Sequence, residues 1–473
     1  MKTYPLYLNG EFITSEPAWD VVNPATGEAF AKISTVERSR VAQALADAHT
    51  AFVAWRQLTA KARGEYLRRI ASEVERRKDE IALLMSSENG KPLAQSLGEI
   101  AMTVDHLQWF AEEGRRGYGR IIPQQAANKR NLVIKTPIGV VGAISPWNFP
   151  LVLAVRKVAP ALAAGCTVVL KPARQTPLSC VLLAECAQAV GLPKGVLQVV
   201  CGQSGEIGEE FLANPLCRKV TFTGSTEVGR VLIRKAADTV KPLSLELGGN
   251  APVLVFEDAD LAQAVEGALL AKMRNTGQSC IGANRVFVHR AVYYRFLEAF
   301  VARVQALKVG EFSEPNVEIG PLIDKPALEH AAALVEDAVA KGARVLCGGH
   351  KVERPGFFFQ PTVLSDVPSE ARCLEEEIFA PIAPVTPFDT EDEAVRLANS
   401  TPFGLSAYAF TRDVSRVFRL AESVEAGMLG INDGLPTTSN APFGGVKQSG
   451  WGRELGAEGL DAFLETKHIS LGV

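Results

Sequence analysis

Val140-Val-Gly-Ala-Ile144, Thr167-Val-Val-Leu170, Val196-Leu-Gln-Val-Val200, Val220-Thr-Phe222 and Leu243-Ser-Leu245 are short apolar runs separated by stretches of helical spacing. Runs of this length without polar alternation suit strands covered on both faces, and their alternation with helices predicts a parallel sheet. A second series begins near Pro252, with Val253–Phe256, Arg285–His289, Pro381–Phe388 and Leu405–Phe410 as strands. Helices are expected between them at about 260–274, 292–306, 326–340 and 413–423. The chain reads as two α/β units joined near residue 250.

Upstream of the first series, Arg38–Trp55 and Ala60–Ser86 carry apolar residues at helical spacing on charged backgrounds, as surface helices do. Two short strand candidates, Ala126–Ile134 and the tail Thr466–Val473, stand outside both series. They can pair with each other or with another subunit, and spacing does not choose.

Composition narrows the function class. The chain has 473 residues and a formal charge of −3, with 47% hydrophobic and 22% charged residues. That is too apolar for disorder, and the length suits two or three packed domains. Nucleic acid and anionic membrane surfaces attract a basic excess that is missing here, so neither is expected as a partner. The stretch from Ile138 to Val155 contains Pro146, Asn148 and Pro150, which argues against a plain membrane-spanning helix. The first residues, MKTYPLYLNGEF, lack the apolar core of a signal peptide. Eight cysteines without a CxxC pair read as thiols in a reducing compartment. A cytoplasmic location is therefore expected.

Several strand ends carry chemistry. In Asn275-Thr-Gly-Gln-Ser-Cys280, Gly277 allows a sharp turn that brings backbone N–H groups near a candidate nucleophile, Cys280. Taken alone, Cys280 is as readily one more buried thiol, and no histidine stands in a catalytic context beside it. Glu246, in Leu245-Glu-Leu-Gly-Gly-Asn250, is a strand-end carboxylate able to act as a base. Gly224 and Ser225 of Thr223-Gly-Ser-Thr-Glu-Val-Gly229 open a helix, as a phosphate site or as a plain cap. Lys171 ends a strand at the edge where such sheets bind ligands. Asn148, in Pro146-Trp-Asn-Phe-Pro150, is an amide between rigid neighbours and a candidate oxyanion donor, while Trp147 and Phe149 suit packing equally well. No metal-ligand cluster is expected.

In order, PWNFP, LKPA, FTGSTEVG, LELGGN, GQSC, EEIFAP and PFGGVKQSG resemble the aldehyde dehydrogenase superfamily over essentially the whole chain. The resemblance implies a Rossmann-like cofactor domain from residues 1–117 and 137–248 and a second α/β catalytic domain over 249–448. It further implies a small β oligomerisation element, 118–136 with 449–473, and a homodimer or homotetramer. By it, Cys280 forms the thiohemiacetal, Asn148 and the Cys280 N–H make the oxyanion hole, and Glu246 is the general base. Trp147, Lys171, Arg174, Gly224, Ser225, Glu377 and Phe379 would hold NAD(P)+: Lys171 at the adenine ribose, Gly224 and Ser225 at the pyrophosphate, Glu377 at the nicotinamide ribose, Phe379 beside the nicotinamide.

Within the superfamily the text is most similar to the succinate-semialdehyde dehydrogenases. Arg156 and Arg274 stand where those enzymes keep two arginines for the substrate carboxylate, and Thr437 near where they place a serine. The substrate expected is an anionic semialdehyde, succinate semialdehyde first, with glutarate semialdehyde or a sulfonated aldehyde such as sulfolactaldehyde as alternatives. A CoA-acylating enzyme is disfavoured by Glu246, and a catalytically silent protein by the intact trio. Three departures stand out. Gly282 replaces a second cysteine, which removes a disulfide switch. Arg174 replaces a carboxylate that repels the 2′-phosphate, which favours NADP+. The Gly434–Asn440 loop differs, leaving chain length open.

Overall fold

The structure is a computed structural model describing residues 1–473. The first apolar series forms the centre of an eight-stranded sheet. Its order runs Gly450–Trp451, Leu243–Glu246, Cys217–Thr223, Val140–Ile144, Thr167–Lys171, Leu197–Val199, Leu6–Leu8, Glu11–Ile13. The five inner strands are parallel and the two ends antiparallel. Every residue of Val140–Ile144 and of Thr167–Lys171 is buried. Val141, Ala143, Val168 and Leu170 pack into one core and Val140, Ile144 and Val169 into another, so helices cover both faces. That double cover is why these strands lack polar alternation.

From Val140–Ile144 the chain steps outward through two strands, then returns to build the other side on Cys217–Thr223. The order therefore reverses between Val140–Ile144 and Cys217–Thr223. At such a reversal the crossover helices diverge to opposite faces and leave a crevice beyond the carboxyl ends of the strands. Pro146–Asn148 and Gly224–Ser225 lie there.

The second series gives a seven-stranded sheet: Arg344–Cys347, Thr362–Ser365, Ile382–Phe388, Ala283–His289, Ala251–Val255, Ser406–Phe410, Met428–Ile431. All its pairings are parallel except the first. Leu247–Asn250 carries the chain from one sheet to the other. Gly249 is needed in that link, because a Cβ there would run into the Cys280 carbonyl.

The four expected helices of this half are present as Leu261–Met273, Tyr293–Gln305, Lys325–Ala340 and Val414–Ser423. The single helix expected over Ala60–Ser86 is instead two, Ala60–Arg76 and Lys78–Asn89. Arg77 (φ −100°, ψ 13°) breaks it, its guanidinium held by Glu80 (2.8 Å) and by Glu185 (2.7 Å) of another helix. The break keeps the apolar residues in phase, so spacing does not reveal it. The two outlying strand candidates pair with each other: Lys129–Pro137 runs antiparallel to Leu464–Gly472, with Arg120–Ile122 on its far side. No helix is long and apolar enough to cross a membrane.

Candidate active site

A cavity of about 210 Å³ fills the crevice. Three neighbouring strands of the first sheet supply one wall: Trp147 and Asn148 beyond Ile144, Gly224 and Ser225 beyond Thr223, and Gly248 beyond Glu246. The second unit supplies Cys280, Glu377 and Phe379. The Trp147 and Phe379 rings meet edge to face at 5.4 Å. The Ser225 hydroxyl caps the Thr226–Ala236 helix, accepting from Val228 N (3.4 Å), and the residue also lines the cavity.

The residues around this cavity could hold the nicotinamide and pyrophosphate end of a dinucleotide. A Cβ on Gly224 would strike the Phe222 ring, and one on Gly248 would come within 3.0 Å of Glu377 Oε2, so the walls approach closely only because no side chain stands there. The first N–H groups of the Thr226–Ala236 helix supply donors and a positive dipole end for a pyrophosphate. Glu377 accepts from Gly249 N (3.1 Å), and burial pushes its carboxyl up to about 7.

The loop carrying Cys280 is strained. Asn275 (φ 52°), Thr276 (φ 58°) and Gly277 (φ 74°) are successive left-handed residues, and the two side-chain-bearing ones cost about 1–2 kcal/mol each. Surrounding groups hold them there. Gln95 Oε1 accepts from Asn275 N (2.7 Å), and the Thr276 hydroxyl both donates to Gly320 O (3.2 Å) and accepts from Gly320 N (3.0 Å). A Cβ on Gly277 would collide with the Ala380 carbonyl.

The loop carrying Asn148 is clamped by a stretch that sequence reading passed over, Glu88-Asn-Gly-Lys91. Asn89 Nδ2 donates to Trp147 O (2.9 Å) and Lys91 Nζ to Asn148 O (2.7 Å). Lys91 is fully buried against Glu99 (2.6 Å), whose other oxygen accepts from Leu151 N and Val152 N at the start of the following helix. Asn275 Nδ2 also donates to Asn148 O (2.9 Å), joining the two loops. The Asn148 amide donates to Gln278 O (3.2 Å), and its own oxygen is without a partner.

Glu246 lies just behind, buried and lining no cavity. Its Oε2 has no partner. Burial first, and then the neighbouring Glu454, hold its carboxyl well above the usual range, opposed by Lys157 and Arg156. Lys157 Nζ bridges Glu454 Oε1 (2.5 Å) and the Thr223 hydroxyl (2.6 Å). Lys157 and Glu454 are functional candidates that no motif signalled, since a buried lysine reads as helix interior.

On the far side of Cys280 opens a second cavity of about 30 Å³, which contains Arg156, Arg274 and Thr437. Arg156 is buried with an unpartnered Nε, 4.3 Å from the Phe443 ring. Arg274 lies 4.8 Å from the Phe149 ring. Neither guanidinium makes an ion pair within 4.0 Å, and the Thr437 hydroxyl is buried without a partner. Cys280 thus stands between the crevice at the strand ends and a pocket of uncompensated positive charge.

Two expected residues lie apart from both cavities. Lys171 is buried at its strand end, its Nζ 3.3 Å from Pro172 O. Arg174 is exposed, its guanidinium 4.7 Å over the Trp19 ring at the edge of a surface groove that also holds Asp20 and Lys325.

Burial, with Glu377 adding to it and Arg156 opposing, pushes the Cys280 thiol up to about 12. The free chain therefore holds a thiol near neutral pH, and its thiolate fraction rises about tenfold per pH unit. Iodoacetamide alkylation of Cys280, followed by mass spectrometry, is expected to accelerate throughout pH 7–10. Arg156→Ala should slow it, since a cation that lowers the thiol is lost. A plateau by pH 8 would contradict this.

The aldehyde dehydrogenase family model matches residues 12–469. The chain is 49% identical over 468 residues to the NADP(+) succinate-semialdehyde dehydrogenase of Escherichia coli, covering 98% of this chain and 97% of that one. It is equally 49% identical over 469 residues to the glutarate-semialdehyde dehydrogenase of Pseudomonas putida, covering 99% and 97%. A crystal structure of an NADP-dependent enzyme of E. coli superposes with a TM-score of 0.98 at 48% identity, over 100% of this chain and 98% of that one.

Proposed function

Because the chain belongs to the aldehyde dehydrogenase family, an oxidoreductase family working with NAD(P)+, we propose that it oxidises a short semialdehyde with an anionic tail to the acid. Succinate semialdehyde is the first candidate and glutarate semialdehyde the second. The observation that carries this reading is the second cavity, where the buried Arg156 guanidinium, the half-buried Arg274 guanidinium and an unpartnered hydroxyl converge beside Cys280. Taking charge out of water is costly unless it is paired, so such a pocket is completed by an anion.

The chain's groups divide the work. Cys280 Sγ bonds to the aldehyde carbon as its proton passes to water, and the carbonyl oxygen becomes an oxyanion facing the Asn148 amide and the Cys280 N–H. For this Asn148 Nδ2 leaves Gln278 O. NAD(P)+, held at Gly224, Ser225 and Glu377, would supply the acceptor for the hydride on that carbon, and loss of the hydride leaves a Cys280 thioester. Glu246 then takes a proton from water as it attacks the thioester carbon; the C–S bond breaks, and the proton on Glu246 passes to the released sulfur, restoring the thiol. A carboxyl raised by burial holds a proton more tightly than a solvated one, as this duty requires.

NADP+ is read as the preferred dinucleotide, supported by the NADP-dependent relatives and by Arg174, which carries no repelling carboxylate to the 2′-phosphate. A cytoplasmic homo-oligomer is the expected working form.

The test is a kinetic panel of succinate semialdehyde, glutarate semialdehyde and butanal with both dinucleotides. Arg156→Ala and Arg274→Ala should each lose about 1.5–3 kcal/mol of charge-assisted bonding. That is roughly tenfold to a hundredfold in kcat/KM on the anionic substrates, with much smaller losses on butanal. Equal losses on all three would show that the arginines support the fold instead.

A further inference from the structure

Of the five N–H donors on Arg274, the only one engaged meets a thioether: Nη2 lies 3.5 Å from the Sδ of Met102. A thioether is a weak acceptor, so this contact holds the guanidinium without compensating its charge. Met102 projects from the Leu93–Glu113 helix into the 30 Å³ cavity and packs against Phe149, Val152 and Leu153. The cavity is small, with room for about two water molecules at ~10–15 Å³ each. A semialdehyde with its carbonyl at Cys280 and its tail at the arginines therefore needs a wall to give way. Phe149, Val152 and Leu153 are branched or aromatic and tightly buried. Among the apolar lining residues, only Met102 is unbranched, flexible at three bonds and partly exposed.

We infer that Met102 is the residue that fixes the length of aldehyde this site accepts. Its thioether occupies space next to Arg274 that the substrate's tail must enter, and the distance by which it can retreat sets how many methylenes fit between carbonyl and anion. The wild type accordingly favours the four-carbon over the five-carbon semialdehyde. This inference rests on the anionic-semialdehyde reading above and goes further by assigning chain length to one side chain.

The test compares kcat/KM for succinate semialdehyde, glutarate semialdehyde and butanal in the wild type, Met102→Ala, Met102→Leu and Met102→Phe. Alanine removes three heavy atoms where the longer substrate adds one methylene. The five-to-four-carbon ratio should therefore rise at least about tenfold, the order by which a methylene is discriminated in an apolar pocket. Leucine keeps the bulk and should leave the ratio within about threefold, while phenylalanine should lower it. The succinate-semialdehyde-to-butanal ratio should change little in the alanine variant, because both guanidiniums remain. An unchanged length ratio in both the alanine and phenylalanine variants would overturn the inference. So would a collapse of the charge preference without a change in length preference, which would make Met102 a prop for Arg274. Failure of the underlying reading is distinguishable: the wild type would then favour butanal over both anionic substrates.

Discussion

Cys280→Ala is expected to abolish aldehyde oxidation, with a fall on the order of 10⁴-fold or more, as when a covalent nucleophile is removed. Every bond change of the reaction passes through the Sγ that alanine lacks. Dinucleotide binding should be retained, because Cys280 is one of several groups on the cavity wall and the cradle at Gly224, Ser225 and Gly248 is untouched. The substitution removes one partly buried atom and should leave the strained 275–277 turn in place, since its holding bonds run through Gln95 and Gly320. Stopped-flow absorbance at 340 nm and a dinucleotide titration measure the two quantities together. Turnover above about one per cent of wild type would overturn the covalent mechanism, and loss of dinucleotide binding would show that Cys280 supports the fold.

Glu246→Gln is expected to separate the two half-reactions. Hydride transfer should persist as a burst of about one equivalent per site, while steady-state turnover falls about 10²–10⁴-fold, the usual contribution of a positioned general base. The amide cannot accept a proton from water, so the thioester accumulates. The fold should tolerate the change, because glutamine relieves both the burial of a carboxylate and its repulsion by Glu454. The sign of the pH effect follows from the raised carboxyl: Glu246 is a base only after losing its proton, so wild-type deacylation should climb with pH through a midpoint above the ordinary carboxylate range. The variant should lack that limb. Burst and steady-state rates that stay equal and normal would remove Glu246 from deacylation.

Much of the architecture is legible in the residues because double-sided burial leaves a mark. Val140–Ile144 and Thr167–Leu170 can afford no polar face, and that shows as uninterrupted apolar text. Arg77 left no such mark, since its helix break rests on Glu185, a carboxylate 108 positions away. Glu88–Lys91 passed unnoticed for the same reason: two of its partners are backbone carbonyls of residues 147 and 148, which no side-chain pattern advertises.

The sequence by itself determined the parallel centres of the two sheets, the order of those strands along the chain and the identity of the motif residues at their ends, because burial on both faces and tight turns dictate residue type locally. It left the pairing of the 126–134 and 466–473 segments open. Only the tertiary structure decided which strand ends are neighbours, and so which motifs share a cavity. Asn148, Ser225, Glu377 and Cys280 are up to 229 positions apart and meet because the strand order reverses between Val140–Ile144 and Cys217–Thr223. It also decided that Glu246 lies beside Glu454 and Lys157, and that Arg156 and Arg274 are both left without a counter-ion. Charge compensation depends on distance in space and on the water excluded, and neither quantity is carried by the order of residues along the chain.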